Sequence, residues 1–272
     1  LASSLLTDGQ CTYHNVPNLR DIESIKQLLS HLGAKVESEG DVVWIDSSGL
    51  YNHEAPYELV RKMRASILVL CPLVARLKKA RVSLPGGCAI GARPINFHLK
   101  GLESMGAHVE LEHGYVNVSV KNLKGAEIYF DIPSVTGTEN LLMAAALADG
   151  ITILRNAARE PEVIALIDVL NQMGADIKGA GTSKIIVTGV SSLKPVSVKI
   201  IPDRIETGTF MVASAITGGD IKILDCEPDH IGGIIDKIKL SGSEVEIEDK
   251  STIRVRGTDE IKSIDIKTLP YP

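Results

Sequence analysis

The stretch LPGGCAIGARP, Leu84 to Pro94, sets a single cysteine, Cys88, among three glycines and places Arg93 five residues further on. A thiol becomes a nucleophile or proton donor of useful strength when a neighbouring cation or a helix N-terminus favours its thiolate. Glycines around it supply the backbone freedom of a loop, where function collects. Spacing alone fits two readings, a reactive thiol on a mobile lid or an inert cysteine filling a turn. Arg64, in MRAS at the head of an apolar predicted helix, stands where exposed backbone N–H groups would share an anion with it, or serves as a capping or surface arginine. Arg93 precedes Pro94 at a predicted helix start, a second place suited to an anion.

Other candidates carry local structural explanations beside chemical ones. In PDRIETGTF, Asp203 and Glu206 stand three apart, as in a capped helix start. In REPE, Pro161 and its flanking acids suit a helix N-terminus. GAGTSK, Gly179 to Lys184, falls at a repeated hairpin position and lacks Walker spacing, so it reads as a turn. Cys71, inside an apolar segment, reads as core. The cysteines Cys11, Cys71, Cys88 and Cys226 show no Cys-x-x-Cys spacing and the seven histidines no ligand pattern, so free thiols and no metal site are expected.

What must position these residues is a repeat. LLSHLGAKVE, GLESMGAHVE, LNQMGADIK and IKLSGSEVE share a glycine, at Gly33, Gly106, Gly174 and Gly242, recurring at intervals of 73, 68 and 68 residues. Each glycine is expected to end a helix in the left-handed conformation, followed by an alternating hairpin, a third strand and an apolar helix. The third strands are predicted in AEIYFDIPS, VSVKIIPD and SIDIKTLP. The apolar helices ASILVLCPLVA, LLMAAAL and FMVASAI have no polar face, so they are expected inside with the strands outside, an inversion of the usual α/β layering. Cys88 falls 18 residues before its marker glycine, where the neighbouring repeats carry Asn15 and Asn156 and the last, one residue shorter, Asp225. The scaffold therefore asks for a small polar residue at this point, not a thiol.

With 272 residues, 44% of them apolar, and a formal net charge of −5, the chain fits a soluble two-domain protein and neither a nucleic-acid nor a membrane-surface binder. Its basic run RLKKAR, Arg76 to Arg81, reads as solvated. No apolar stretch approaches the roughly 20 residues of a membrane span, so a cytoplasmic location is expected. Both ends cut across the repeat, giving the expectation of a stretch from a longer protein.

LPGGCAIGARP, MRAS, NAAREPE, PDRIETGTF and the repeated LGA together resemble the UDP-N-acetylglucosamine enolpyruvyl transferases, over essentially the whole chain. The resemblance implies a two-domain inside-out α/β barrel, with a first domain over residues 1–201 and a partial second over 202–272. It implies transfer of the enolpyruvyl group of phosphoenolpyruvate to the 3-hydroxyl of UDP-N-acetylglucosamine, the first committed step of peptidoglycan synthesis, with phosphate released and no cofactor. Cys88 matches the family's lid cysteine, a general acid or product-release group alkylated by fosfomycin. Arg93 matches the lid arginine on the phosphate of phosphoenolpyruvate, and Arg64 an arginine of the anionic site. Pro94, Ile95, Asn96, Phe97 and His98 resemble the uridine segment, Ser134 and Val135 the diphosphate contacts, and Glu160, Asp203, Glu206 and Thr207 further substrate-binding positions. Family members often carry Asp, Lys and Gly where this chain has Asn96, Ile132 and Thr136.

The family's aspartate that handles the hydroxyl proton lies beyond the closing TLPYP, which implies that these residues alone are inactive. Two rivals stay open. One is a transferase like 5-enolpyruvylshikimate-3-phosphate synthase; the other is a noncatalytic fragment or paralogue that binds the nucleotide sugar. No oligomeric state follows from the sequence.

Overall fold

In a computed structural model the described residues are 1–86 and 95–271, so Cys88, Arg93 and Pro94 lie outside them. The chain divides into two compact units, Leu1–Ile200 and Ile201–Pro272.

The first unit is built from one pattern used three times. A strand leads to an amphipathic helix, then a hairpin, then a short strand, then an apolar helix. The three four-stranded sheets have the same order. Ser197–Lys199, Gln10–His14, Val42–Asp46 and Lys35–Glu39 form one; Glu54–Ala55, Lys79–Ser83, Tyr115–Ser119 and His108–Glu112 the second; Glu127–Tyr129, Ile151–Arg155, Lys184–Thr188 and Asp176–Lys178 the third. In each, the first pair is parallel and the rest antiparallel. Because Ser197–Lys199 pairs with Gln10–His14, in register Tyr13 to Val198, the last strand of the third repeat closes onto the first of the first.

Sequence periodicity explains the layering. The Arg20–Leu32 helix buries Ile25, Leu28, Leu29 and Leu32, the single stripe of an amphipathic helix, and leaves its other face to solvent. The segment Arg64–Val69 and the helices Leu70–Leu77 and Val135–Ala145 are buried on most faces and lie together inside the sheets, with the short Ala2–Leu6 turn packed beside them. The MRAS segment opens as a 3₁₀ turn from Arg64 to Val69 before becoming α-helical, a tighter start than expected.

The marker glycines stand in the left-handed region, with φ of +107° at Gly33, +88° at Gly106, +104° at Gly174 and +102° at Gly242. The small polar positions 18 or 17 residues earlier have a physical reason as well. Asn15, Asn156 and Asp225 all take φ between +52° and +60°, which non-glycine residues other than Asn and Asp rarely adopt. Asn15 Nδ2 donates to the carbonyl of Ile200 at 2.9 Å and Asn156 Nδ2 to that of Phe130 at 2.8 Å, the same tie to the end of the neighbouring parallel strand. The equivalent carbonyl in the cysteine repeat, that of Pro56, accepts from the N–H groups of Leu59 and Val60.

Three expectations need correction, the last of them at the helix that carries FMVASAI. Arg76 does not sit in a solvated run: its Nη1 donates to the carbonyls of Leu5 and Ser47, each at 3.2 Å, and to that of Thr7. The guanidinium thereby ties the Ala2–Leu6 turn and the residue after it to Ser47, whose carbonyl also accepts from the Leu50 N–H at 3.2 Å. The second correction is SIDIKTLP, Ser263 to Pro270, which forms no strand. In the first unit each such strand pairs in parallel with the opening strand of another repeat, and no described strand offers that partner to residues 263–270.

The second unit carries the strands Asp220–Ile223, Thr252–Arg256 and Glu244–Asp249 as one three-stranded sheet, with the helices Arg204–Thr217 and Gly232–Leu240. Its core joins Met211, Ala215, Ile235, Ile238, Ile253 and Val255. The Arg204–Thr217 helix was expected to be enclosed all round, yet within its unit Phe210, Val212 and Ile216 remain 52%, 45% and 65% exposed. One apolar face rests on the sheet and the other is uncovered.

Candidate active site

In the first unit the candidate residues gather at the N-terminal ends of the inner helices. Met63 is extended and the chain turns sharply at Arg64, which brings that arginine to the start of the inner segment. On the neighbouring helix, Ser134 is the N-cap of Val135–Ala145, its Oγ accepting from the Gly137 N–H at 3.2 Å. Gly137 is needed for this closeness, since a Cβ there would stand 2.9 Å from that Oγ and 3.2 Å from the Phe130 ring. Val135 is the first residue of the same helix.

The segment leading into Asn96–Ser104 is fixed by its side chains. Ile95 is buried, and the Phe97 ring meets Phe130 edge to face with centroids 5.9 Å apart. His98 is buried and its Nδ1 lies 2.8 Å from Asn140 Nδ2. Desolvation, with Arg64 adding charge repulsion, pulls the His98 imidazole down to about 4, so the ring is neutral at physiological pH. Asn96 Oδ1 and Glu160 Oε2 are buried acceptors without a hydrogen-bond partner among the described residues. Buried polar atoms are ordinarily paired, and both of these acceptors stand at the start of a helix. Glu160 is the N-cap of Pro161–Gln172, but its side chain makes no cap bond.

Asp203, Glu206 and Thr207 belong to the second unit. Asp203 caps the Arg204–Thr217 helix through Oδ1, which accepts from the N–H groups of Ile205 at 2.7 Å and Glu206 at 3.3 Å. Thr207 Oγ1 donates back to the Asp203 carbonyl at 2.9 Å, and the Glu206 side chain is exposed. Cys71 is core, its thiol pushed up by burial. Among the described residues no group of His, Cys, Asp and Glu could hold a metal ion, and no helix is long and apolar enough to cross a membrane.

Two residues of this region escaped the sequence reading. Asn140 is fully buried and bonded to three elements; its signal was a lone amide in the apolar run ENLLMAAAL. Glu139, beside it, is partly enclosed, and desolvation together with the nearby Glu162 pushes its carboxyl up to about 8. An unfolded chain ionises this group near 4.5, so the folded state loses stability as pH climbs from there towards 8. Solvent reaching the part-exposed side chain limits the cost at pH 8 to roughly 2 kcal/mol. Glu139→Gln should therefore raise urea stability by about that amount at pH 8 and by almost nothing at pH 4.5, a difference that two denaturation curves would measure.

Three like repeats closed around inner helices define an enolpyruvyl transferase fold. Solved structures share it: the enolpyruvyl transferase NikO from Streptomyces tendae superposes with a TM-score of 0.82 at 22% identity, over 95% of this chain and 62% of that one. An EPSP synthase from Acinetobacter baumannii gives 0.74 at 21%, over 98% and 64%. The chain belongs to the EPSP synthase (3-phosphoshikimate 1-carboxyvinyltransferase) family, whose model matches residues 1–272. Within it, similar proteins of Desulfosudis oleivorans, Desulfatibacillum aliphaticivorans and Desulforapulum autotrophicum, each named UDP-N-acetylglucosamine 1-carboxyvinyltransferase, are 71%, 61% and 60% identical over all 272 residues. The chain spans 65% of the length of these relatives.

Proposed function

We propose that the protein transfers the enolpyruvyl group of phosphoenolpyruvate to the 3-hydroxyl of UDP-N-acetylglucosamine, releasing phosphate, as a cytoplasmic step of peptidoglycan synthesis. The carrying observation is identity of 60 to 71% along the whole stretch to relatives bearing that name, against 21 to 22% to the solved EPSP synthase and NikO. The unpaired acceptors of Asn96 and Glu160 support it, since a nucleotide sugar brings the N–H and O–H donors they lack.

In this reading the sugar oxygen bonds to the vinyl carbon that carries the phosphate, its proton passes to a base, and the methylene end gains a proton from an acid. Loss of a methyl proton and of phosphate then restores the double bond in the product. Arg64 and Arg93 balance the anionic charge, and Cys88 supplies an acid or aids product release on a lid that excludes water. Asp203 is committed to its cap and is not assigned as the base.

We further propose that residues 1–201 form the first domain and 202–272 one repeat of a second. The uncovered apolar face of Arg204–Thr217 and the three-stranded sheet support this, because the first unit covers the same face with two more inner helices. On this proposal Arg93→Ala weakens use of phosphoenolpyruvate on the order of a hundredfold, the scale for losing a charged donor to an anion, and changes binding of UDP-N-acetylglucosamine far less. Titrations with each substrate test this, and equal losses in both would count against the role of Arg93.

A further inference from the structure

Asn140 is the only described side chain whose hydrogen bonds reach both of the other segments that start at the site. It lies on Val135–Ala145, the helix capped by Ser134. Its Oδ1 accepts from the backbone N–H of Cys71 at 3.2 Å, and its Nδ2 donates to the carbonyl of Ile67 at 2.9 Å, both on the inner segment that begins at Arg64. The remaining Nδ2 hydrogen points at His98 Nδ1, 2.8 Å away, on the Asn96–Ser104 helix that Ile95 precedes.

These partners remove the usual ambiguity of an amide. A backbone N–H can only donate and a carbonyl can only accept, so Cys71 and Ile67 independently identify which atom of Asn140 is oxygen and which is nitrogen. Rotating the amide by half a turn would set oxygen against the Ile67 oxygen and N–H against the Cys71 N–H. Once the orientation is settled, His98 Nδ1 faces a donor and must act as acceptor. The neutral ring then carries its proton on Nε2, and an imidazolium would confront N–H with N–H. Arg64 is the charged group acting on this ring, and it opposes protonation too.

We propose that Asn140 is a positioning residue for the nucleotide-sugar site: it locks His98 as a neutral imidazole with its proton on Nε2, and so fixes the register of the segments that begin at Arg64, Ile95 and Ser134. The assignment of those segments to substrate rests on the function proposed above; the hydrogen-bond lock does not. An apolar residue at position 140 would leave the Cys71 N–H and the Ile67 carbonyl without this side-chain partner and the imidazole free to take either tautomer.

The test is ¹⁵N-histidine NMR of the 272-residue chain across pH 5 to 8, with UDP-N-acetylglucosamine affinity measured beside it. The wild-type His98 ring should keep the pattern of an unprotonated Nδ1 and a protonated Nε2 over that range. Asn140→Asp keeps the acceptor for Cys71 but loses both donors, so a proton should appear on His98 Nδ1, and sugar-nucleotide affinity should fall about tenfold, the scale of one lost buried hydrogen bond. A wild-type His98 protonated on Nδ1 anywhere in the range would overturn the inference even if the variant failed to fold. So would an Asn140→Asp chain that binds UDP-N-acetylglucosamine as tightly as wild type. A wild-type chain that keeps the expected ring pattern yet binds no UDP-N-acetylglucosamine would uphold the lock and count against the proposed function instead.

Discussion

Cys88→Asp should abolish the fosfomycin adduct of the protein, a loss from complete labelling to none in an intact-mass measurement. Fosfomycin is an epoxide, and its strained ring opens when a thiolate attacks carbon; a carboxylate at the same position is a far weaker nucleophile and yields no comparable adduct. The other cysteines do not compete. Cys11, Cys71 and Cys226 are buried free thiols, and burial pushes both Cys71 and Cys226 towards the unreactive protonated form. An adduct that forms as before in the variant would remove Cys88 from the proposed chemistry.

Gly189→Ala should cost about 3 kcal/mol or more, because the new methyl has nowhere to go. A Cβ at this position would lie 1.7 Å from the carbonyl oxygen of Ala148 and 2.8 Å from its carbon, both backbone atoms. Ala146 and Ala148, at the end of the inner helix, are themselves buried, and the Gly189 N–H donates to the Gly150 carbonyl at 3.0 Å, so neither chain can retreat freely. Gly232→Ala is the matched control. No atom stands within 4 Å of its built Cβ and it opens a helix, so alanine there should leave stability unchanged or raise it by up to about 1 kcal/mol. Urea denaturation of the two variants would show the contrast, and a Gly189→Ala chain as stable as wild type would mean that the approach of these two segments is looser than described.

The repeat was legible because its marks are local. A glycine that must take positive φ after a helix, and an Asn or Asp that must take it before one, can be recognised without knowing the partner strands. Features set by distant chain were not. SIDIKTLP has the alternation of a strand, but such a strand exists only where a parallel neighbour meets it, and alternation carries no information about that neighbour. Arg76 reads as one more cation in a basic run, although three carbonyls from residues far away in sequence draw it inward. The apolar helix FMVASAI was rightly read as lacking a polar face, but what covers each face depends on tertiary neighbours.

At the site the balance is similar. Asp203 was legible as a cap through its spacing to Glu206, and the helix start at Glu160 through Pro161, whereas the capping role of Ser134 was not read from the sequence. Asn140 was not legible either, because one amide in an apolar run has the same sequence signature whether it satisfies a single carbonyl or joins three elements.

The most direct test of the proposed function joins this chain to the residues of the Desulfosudis oleivorans relative that lie outside the matched stretch and measures phosphate release from phosphoenolpyruvate. The account predicts release that depends on UDP-N-acetylglucosamine, at a rate of the same order as that of the relative, and none with shikimate 3-phosphate. Release driven by shikimate 3-phosphate, or a folded hybrid that binds UDP-N-acetylglucosamine and frees no phosphate, would contradict it.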